Sequence, residues 1–599
     1  MRNYINKIMI RGGEFLIKDQ DSKDVFIPED FSDDQLMMAS ATKEFVEKEL
    51  DPHRERFEQK DYKLTEECMK KAGELGLLGI SIPIEYGGMG MPFNTSVLIC
   101  DRISGANGSF STAFGAHTGI GTLPILLYGN QQQKERYLPK LSSGEWIGCY
   151  CLTEPGAGSD ANSGKTKAVL SKDRKNYLIT GQKMWISNAG FADVFIVFAK
   201  IEEDKNITAF ILEKGAKGMT MGEEEHKLGL HSSSTRQIFF NEVKIPIEAM
   251  LGGRGNGFKI AMNALNVGRI KLSAAILDAC RRVINLSTKY SNQRIQFGVP
   301  ISKFGVIKHK LADMAVRTYV IESATYRAGN DIEKNILRLQ SKEKDKQKAY
   351  LKGIEEYAIE CSITKIMGSE TIQFCSDEGI QIYGGMGYSA EAPMEAAYRD
   401  ARISRIYEGT NEINRMLLVG MILKKAMKGE LDIITLAMKA ASDLMSIPSF
   451  KRKDDSKLFT IEKEHLKNLK KAILMIAGKS AKHYGINIDK EQELLMNLAD
   501  MVIDVYGAES AILRTEKLTH KNGQEKNKSQ INMSKLFLYQ AIKNCSRSGE
   551  EVILAFAEGD EKKMLLMGLK RFTKGYDINP KELRRKVAEK LIKENQYCF

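Results

Sequence analysis

Arg402-Ile403-Ser404-Arg405-Ile406-Tyr407-Glu408-Gly409-Thr410-Asn411-Glu412 places one carboxylate beside a glycine, where the pattern predicts a tight turn opening a helix. Glycine lets backbone approach a ligand closely, and a helix start offers unpaired N–H groups to an electron-rich atom. A base beside such donors suits removal of a proton α to a carbonyl, because the enolate charge is stabilised as it forms. The stretch Tyr407–Asn411 also reads as a capped turn with a solvated glutamate. Segments upstream decide between the two.

Tyr150-Cys151-Leu152-Thr153-Glu154-Pro155-Gly156-Ala157-Gly158-Ser159-Asp160 is followed by Gly181-Gln182-Lys183-Met184-Trp185-Ile186-Ser187-Asn188. Arg294-Ile295-Gln296-Phe297-Gly298 and Gln381-Ile382-Tyr383-Gly384-Gly385-Met386-Gly387-Tyr388 come next. Gly156 and Gly158 let a loop lie against a flat ligand, and Thr153 and Ser159 supply short hydroxyls for the edge of a heteroaromatic ring. Such a loop also serves as a plain strand connection. Together with the Glu408 run, these segments stand in the order and at the spacing of the acyl-CoA dehydrogenase family, which the chain closely resembles. The stretch from Leu431 to Phe599 resembles the extra helical domain of that family's very-long-chain branch and its bacterial relatives, a fatty-acid β-oxidation type.

Composition bounds the rest. The 599 residues are 43% hydrophobic and 28% charged, which predicts a globular protein of several domains. No run of 18 or more apolar residues suggests a membrane span, and the N-terminus has neither a signal core nor an Arg-rich transit pattern. Nine scattered cysteines without CxxC pairs argue against a zinc site or a disulfide framework, so no metal is expected and the thiols read as reduced and mostly buried. These features predict a cytoplasmic protein. The net charge of +12 suits an anionic partner, whether nucleotide cofactor, nucleic acid or membrane surface. No Arg/Lys stripe with interleaved aromatics marks a nucleic-acid face, so none is expected.

Hydrophobic periodicity divides the chain into three textures. It is helical from about Ser32 to Gly148. From Cys149 to Glu248 come short β-branched and aromatic runs such as Val194-Phe195-Ile196-Val197-Phe198, which predict a compact antiparallel β domain. It is helical again from Phe258 onward. The charged stretch 343–348 reads as a cap or loop between two long helices, and the weakened pattern around 427–431 and 448–457 as a linker into the last domain. The expected fold is therefore mainly α with a central β domain. With the resemblance, it becomes an N-terminal helical domain (28–148), a β-barrel-like middle domain (149–255), a four-helix-bundle domain carrying Glu408 (256–430) and an additional helical domain (431–599).

The resemblance implies FAD as cofactor and assigns its contacts. Tyr150, Leu152, Thr153, Gly158 and Ser159 correspond to the flavin-contacting segment, with Ser159 also reaching the acyl-CoA. Trp185 corresponds to a tryptophan against the flavin, and Ser187, where many relatives carry Thr, to a hydroxyl bonded to it. On a strand Trp185 also reads as ordinary core. Arg294, Gln296 and Phe297 correspond to a segment that reaches a neighbouring subunit's FAD, beside Gln381, Gly384 and Gly385. Thr410 and Glu412 complete the cofactor set. The implied assembly is at least a homodimer, or a tetramer. Asn266, Arg269 and Gly409 fall on the substrate side, although Arg269 also reads as a helix-packing salt bridge. Some members carry their base on the helix of Asn266-Val267-Gly268-Arg269; here no carboxylate stands there, which leaves Glu408 as the catalytic base.

The activity implied is dehydrogenation of long-chain fatty acyl-CoA to trans-2-enoyl-CoA, with electrons passed to an electron-transfer flavoprotein. Gly115, Gly119 and Gly121 lie where relatives line the acyl tunnel, and small residues there leave room for a long chain. The C-terminal stretches 466–476 and 583–592 mix apolar and basic positions, which fits ordinary bundle packing or a peripheral membrane contact. Two rivals remain: an acyl-CoA oxidase using oxygen, and a non-catalytic relative that binds DNA or scaffolds an assembly. The intact Glu408 run argues against the second.

Overall fold

A computed structural model of the chain describes residues 9–105, 107–443 and 458–599. The expected linker 448–457 lies outside the described residues. Helix makes up 66% of the chain and strand 11%, so the fold is mainly α around a central sheet, as expected. Local capping sets the entry of the N-terminal helices. Ser32 and Gln35 form a reciprocal capping box at the start of helix Asp33–Phe45, and Asn130 with Gln133 does the same for Gln131–Ser143. Two turns widen to π-helix, Val46–Leu50 and Ala116–Gly121. The second carries the buried His117, whose Nδ1 accepts from Gly148 N–H while Nε2 donates to Leu141 C=O. That pair of bonds ties the π turn to the first strand. Burial pushes this imidazole down to about 4, so it stays neutral.

Eight strands form the central sheet: β1 (Gly148–Cys151), β2 (Lys167–Leu170), β3 (Asn176–Ser187), β4 (Val194–Ile201), β5 (Ile207–Glu213), β6 (Met219–Glu224), β7 (Thr235–Pro246) and β8 (Met250–Leu251). The order is β6-β7-β3-β2-β4-β5-β8, with β1 also paired to β4. The sheet is not wholly antiparallel: β1 and β2 both run parallel to β4. β4 returns only after the long β3 excursion, a crossover of the length that parallel pairing needs. Flanked on both edges, β4 is buried almost throughout, which is why its sequence is a continuous apolar run. Where β3 pairs with β7, the register shifts between Lys183 and Ile186, and Trp185 sits in that bulge.

Helices Gly257–Ala274, Leu277–Gln293, Gly305–Gln340 and Ala358–Tyr383 pack into the bundle that follows. By length and apolarity the continuous stretch Gly257–Gln293 could span a membrane, but 83% of its apolar window is buried inside the protein, which makes it a core element. The charged stretch 343–348 is only half loop: Asp345 caps helix Lys346–Glu355, and the Gln347 side chain donates to the Leu126 and Leu127 carbonyls. The C-terminal helices share one continuous core with the bundle. Leu466, Leu469, Ile473 and Ile476 are buried there, as are Val587 and Leu591, so these apolar faces are taken up by bundle packing.

The N-terminal segment straps this C-terminal unit to the bundle. Arg514 on helix Gln492–Asn522 bonds Glu29 at 2.5 Å and Glu322 of the bundle at 2.6 Å. Lys517 and Lys521 each reach Asp30 at 2.6 Å, and Val25 and Ile27 pack on Leu513 and Leu518. All nine cysteines are free, and only Cys598 is not buried.

Candidate active site

Glu408 adopts φ +59°, a left-handed conformation that costs a non-glycine residue free energy, and Gly409 follows at +78°. Thr410 then caps helix Asn411–Met427, its Oγ1 accepting from Ile413 N–H at 3.2 Å. Three side chains hold this turn by its carbonyls. Asn414 Nδ2 donates to the carbonyls of Glu408, Gly409 and Thr410 at 3.3, 2.7 and 3.0 Å. Arg269 Nε reaches Glu408 C=O at 3.2 Å while its Nη1 bonds Asn266 Oδ1 at 2.9 Å. Lys365 Nζ donates to Gly409 C=O and to Asn411 Oδ1, both at 2.8 Å. Arg269 is therefore buried and forms no salt bridge among the described residues; it clamps the turn.

The carboxylate points the other way. Glu408 Oε2 is buried without a hydrogen-bond partner, and a Cβ placed on Gly268 would lie 2.7 Å from it. Gly268 thus leaves the space that this side chain occupies. Burial pushes the Glu408 carboxyl up to about 7, against the opposing pull of Arg269 and Lys365. Burial likewise brings the Lys365 amine down to about 7, with Glu408 opposing. Among the described residues the main-chain N–H of Glu408 has no hydrogen-bond acceptor.

A cavity of about 420 Å³ opens at this carboxylate. It runs along helices Gly257–Ala274 and Leu277–Gln293, from Gly268 as far as Leu286. Gly115 and Gly119 line it, and a Cβ on either would meet nothing within 4 Å. Of the residues predicted for the site, Glu408 and Ser187 line the cavity. Asn266, Arg269, Gly409 and Thr410 join through the turn.

The β domain supplies a second face. Tyr150 and Leu152 are buried at the end of β1, and the Tyr150 hydroxyl has no partner. Thr153 C=O accepts from Met184 N–H at 2.9 Å, which pins the following loop to β3. Gly158 and Ser159 are exposed on that loop, and a Cβ on Gly156 or Gly158 would meet no atom within 4 Å. Trp185 is 51% exposed at φ +61°, so it is not core. A flat heteroaromatic cofactor fits these residues: an orphaned hydroxyl, a glycine loop open to close approach, and a large ring displayed by a bulge.

The remaining predicted residues stand apart, at one end of the bundle. Arg294, Gln296 and Phe297 form an exposed hairpin, Ile295–Gln296 paired with Val299–Pro300, with Phe297 93% exposed at its tip. Tyr290, one turn before Arg294, stacks on Tyr383 at 4.0 Å, which brings the hairpin to the end where Gln381, Gly384 and Gly385 lie exposed. Glu412 is exposed on the first turn of its helix. Sequence reasoning missed Lys365 and Asn414, the two residues that lock the Glu408 turn. It read Gly268 only as lacking a carboxylate.

Comparison with known proteins identifies the family. Family profiles for acyl-CoA dehydrogenase match residues 32–145 (N-terminal domain), 149–243 (middle domain) and 255–423 (C-terminal domain), and a further C-terminal-domain profile matches 468–571. A probable acyl-CoA dehydrogenase of Bacillus subtilis (strain 168) is 43% identical over 98% of both chains. The mitochondrial very long-chain specific acyl-CoA dehydrogenase of Homo sapiens is 40% identical over 58% of this chain and 51% of its own length. The crystal structure of an acyl-CoA dehydrogenase complexed with FAD from Bacillus anthracis superposes with a TM-score of 0.95, at 42% identity, over 98% of this chain and 100% of that one. The chain belongs to the acyl-CoA dehydrogenase family and is an FAD-dependent oxidoreductase.

Proposed function

We propose that the protein oxidises long-chain fatty acyl-CoA to trans-2-enoyl-CoA, as a homodimer with an electron-transfer flavoprotein as acceptor. The observation that carries this reading is the buried, unpartnered Glu408 carboxylate lining a cavity of about 420 Å³. With its pKa near 7, Glu408 is strong enough as a base and sufficiently ionised to take an α proton at neutral pH. Its main-chain N–H is a donor for the thioester oxygen, where negative charge develops; one such donor contributes roughly 3–4 kcal/mol to the transition state. Arg269, Asn414 and Lys365 keep that N–H and the carboxylate in fixed relation. Asn266, Gly409 and Ser159 would contact the thioester and its pantetheine.

Tyr150, Leu152, Thr153, Gly158, Ser159, Trp185 and Ser187 would hold FAD, which when bound supplies the acceptor for the β hydrogen as hydride. Arg294, Gln296, Phe297, Gln381, Gly384 and Gly385 would serve the cofactor of a second copy, with Thr410 and Glu412 at its edge. A guanidinium at Arg294 suits pyrophosphate oxygens. Gly115 and Gly119 support a long acyl chain, because they leave open space in the lining of the cavity. Anaerobic addition of palmitoyl-CoA should bleach the yellow flavin, and an electron-transfer flavoprotein should restore it faster than air does. Fast recovery in air would assign an oxidase; no bleaching by palmitoyl-, octanoyl- or butyryl-CoA would overturn the reading.

A further inference from the structure

Lys271 lies on helix Gly257–Ala274, three residues after the Gly268 that faces the Glu408 carboxylate. One helical turn separates them, roughly 5 Å of axial rise. It is only 7% exposed, and it lines the main cavity. The other charged side chains of that lining are engaged. Asp51 pairs with Arg282 and Glu58 with Arg399; Arg54 donates to Ala392 C=O, and Asp400 accepts from Leu230 N–H. Among the described charged residues of the lining, the Glu408 and Lys271 side chains alone have neither a hydrogen bond nor an ion pair. One is the base. The other is a buried amine with no hydrogen-bond or ion-pair partner among the described residues.

An amine desolvated this far is costly unless it gains a partner. Burial pulls Lys271 below the ordinary lysine range, and Cys100 is the titratable neighbour that opposes this. Lys271 also borders a second cavity of about 20 Å³, lined by Ser96, Thr118 and Thr122, whose Oγ1 has no partner. That volume admits about one water and no anion. A plain alkyl chain filling the main cavity would leave the amine facing hydrocarbon. A chain that ends in a carboxylate would instead complete the pair.

We propose that Lys271 recognises a carboxylate on the acyl chain, so that the cavity selects mono-CoA esters of dicarboxylic acids over plain acyl-CoA of equal length. The inference rests on the acyl-CoA reading above and narrows its substrate class.

The test uses the FAD-loaded protein with adipyl-, suberyl- and sebacyl-CoA against hexanoyl-, octanoyl- and decanoyl-CoA, reading Kd by calorimetry and the rate of flavin bleaching. Lys271→Met should weaken binding of the best dicarboxylic ester at least tenfold and tighten its plain counterpart, inverting the preference. Lys271→Arg should keep the wild-type order, and Lys271→Gln guards against a Met variant that fails to fold. A ratio of the two Kd values unmoved by all three substitutions would overturn the proposal, the amine then being satisfied by water in the small cavity. Inverted binding without bleaching by any ester would sink the dehydrogenase reading and leave this one standing. Bleaching with an unmoved ratio would do the reverse.

Discussion

At the scale of single residues, the site concentrates strain and desolvation on Glu408. A left-handed non-glycine costs roughly 1–3 kcal/mol, and the surrounding bonds to its carbonyl are what hold it there. The raised carboxyl pKa means the folded protein binds this proton more tightly than the unfolded chain does. Stability contributed by the protonated form is therefore lost as pH rises from 4.5 to about 7, a cost of about 3 kcal/mol for the ligand-free protein. Glu408→Gln should remove that cost above neutral pH, raising Tm while keeping bound FAD and abolishing turnover. An equally active, yellow variant would exclude Glu408 as base. In the wild type, the rate of flavin bleaching should climb as pH passes through about 7 and then level off; a flat profile would contradict the assignment. Gly268→Ala inserts a methyl 2.7 Å from the carboxylate oxygen, so single-turnover rates should fall about 100-fold with the flavin spectrum intact.

Among the elements, the Glu408 turn is short and is held by side chains from two helices outside it. Lys365 comes from the middle of helix Ala358–Tyr383 and Arg269 from helix Gly257–Ala274. Lys365→Met should cost activity through position and charge together. Without its cation, Glu408 loses one of the two influences that lower its pKa, so the acidic limb of the pH–rate profile should move to higher pH. A loss of rate with an unmoved limb would reduce Lys365 to a structural brace.

The turn itself was legible in sequence, because its chemistry needs a carboxylate, a glycine and a cap next to one another. The lock was not. Lys365 in Ser362-Ile363-Thr364-Lys365-Ile366 looks like any helical lysine until the fold buries it. Trp185 read as possible core because a bulge that turns a ring outward depends on partner-strand register, which one strand's sequence does not carry. The parallel pairing of β1 and β2 with β4 was equally invisible, since alternation reports faces and not direction.

For the whole molecule, buried ion pairs bind remote segments into one body. Arg514 is shared between Glu29 of the N-terminal segment and Glu322 of the bundle. Without Arg514, Glu322 keeps its pair with Arg281 and Glu29 is partly open to water, so the loss falls below the roughly 3–5 kcal/mol of a fully broken buried pair. Arg514→Met should accordingly lower Tm and make the N-terminal segment the first site of limited proteolysis. Unchanged Tm and cleavage would show that the apolar contacts of Val25 and Ile27, with the Asp30 ion pairs, suffice without Arg514. The sequence of textures, helical, then β, then helical again, followed from hydrophobic periodicity, but this strap did not: nothing local in Val25–Asp30 signals a partner hundreds of positions away.

That strap also has a timetable. The bond from Arg514 to Glu29 closes a separation of 485 residues, and the one from Lys517 to Asp30 a separation of 487. At a synthesis rate of about 5–20 residues per second, Glu29 leaves the ribosome roughly half a minute to a minute and a half before its partner is made. During that interval Val25 and Ile27 have no docking surface, and a nascent chain displays them to chaperones and proteases. Closure of this strap therefore waits on helix Gln492–Asn522, long after Glu29 and Asp30 have been made.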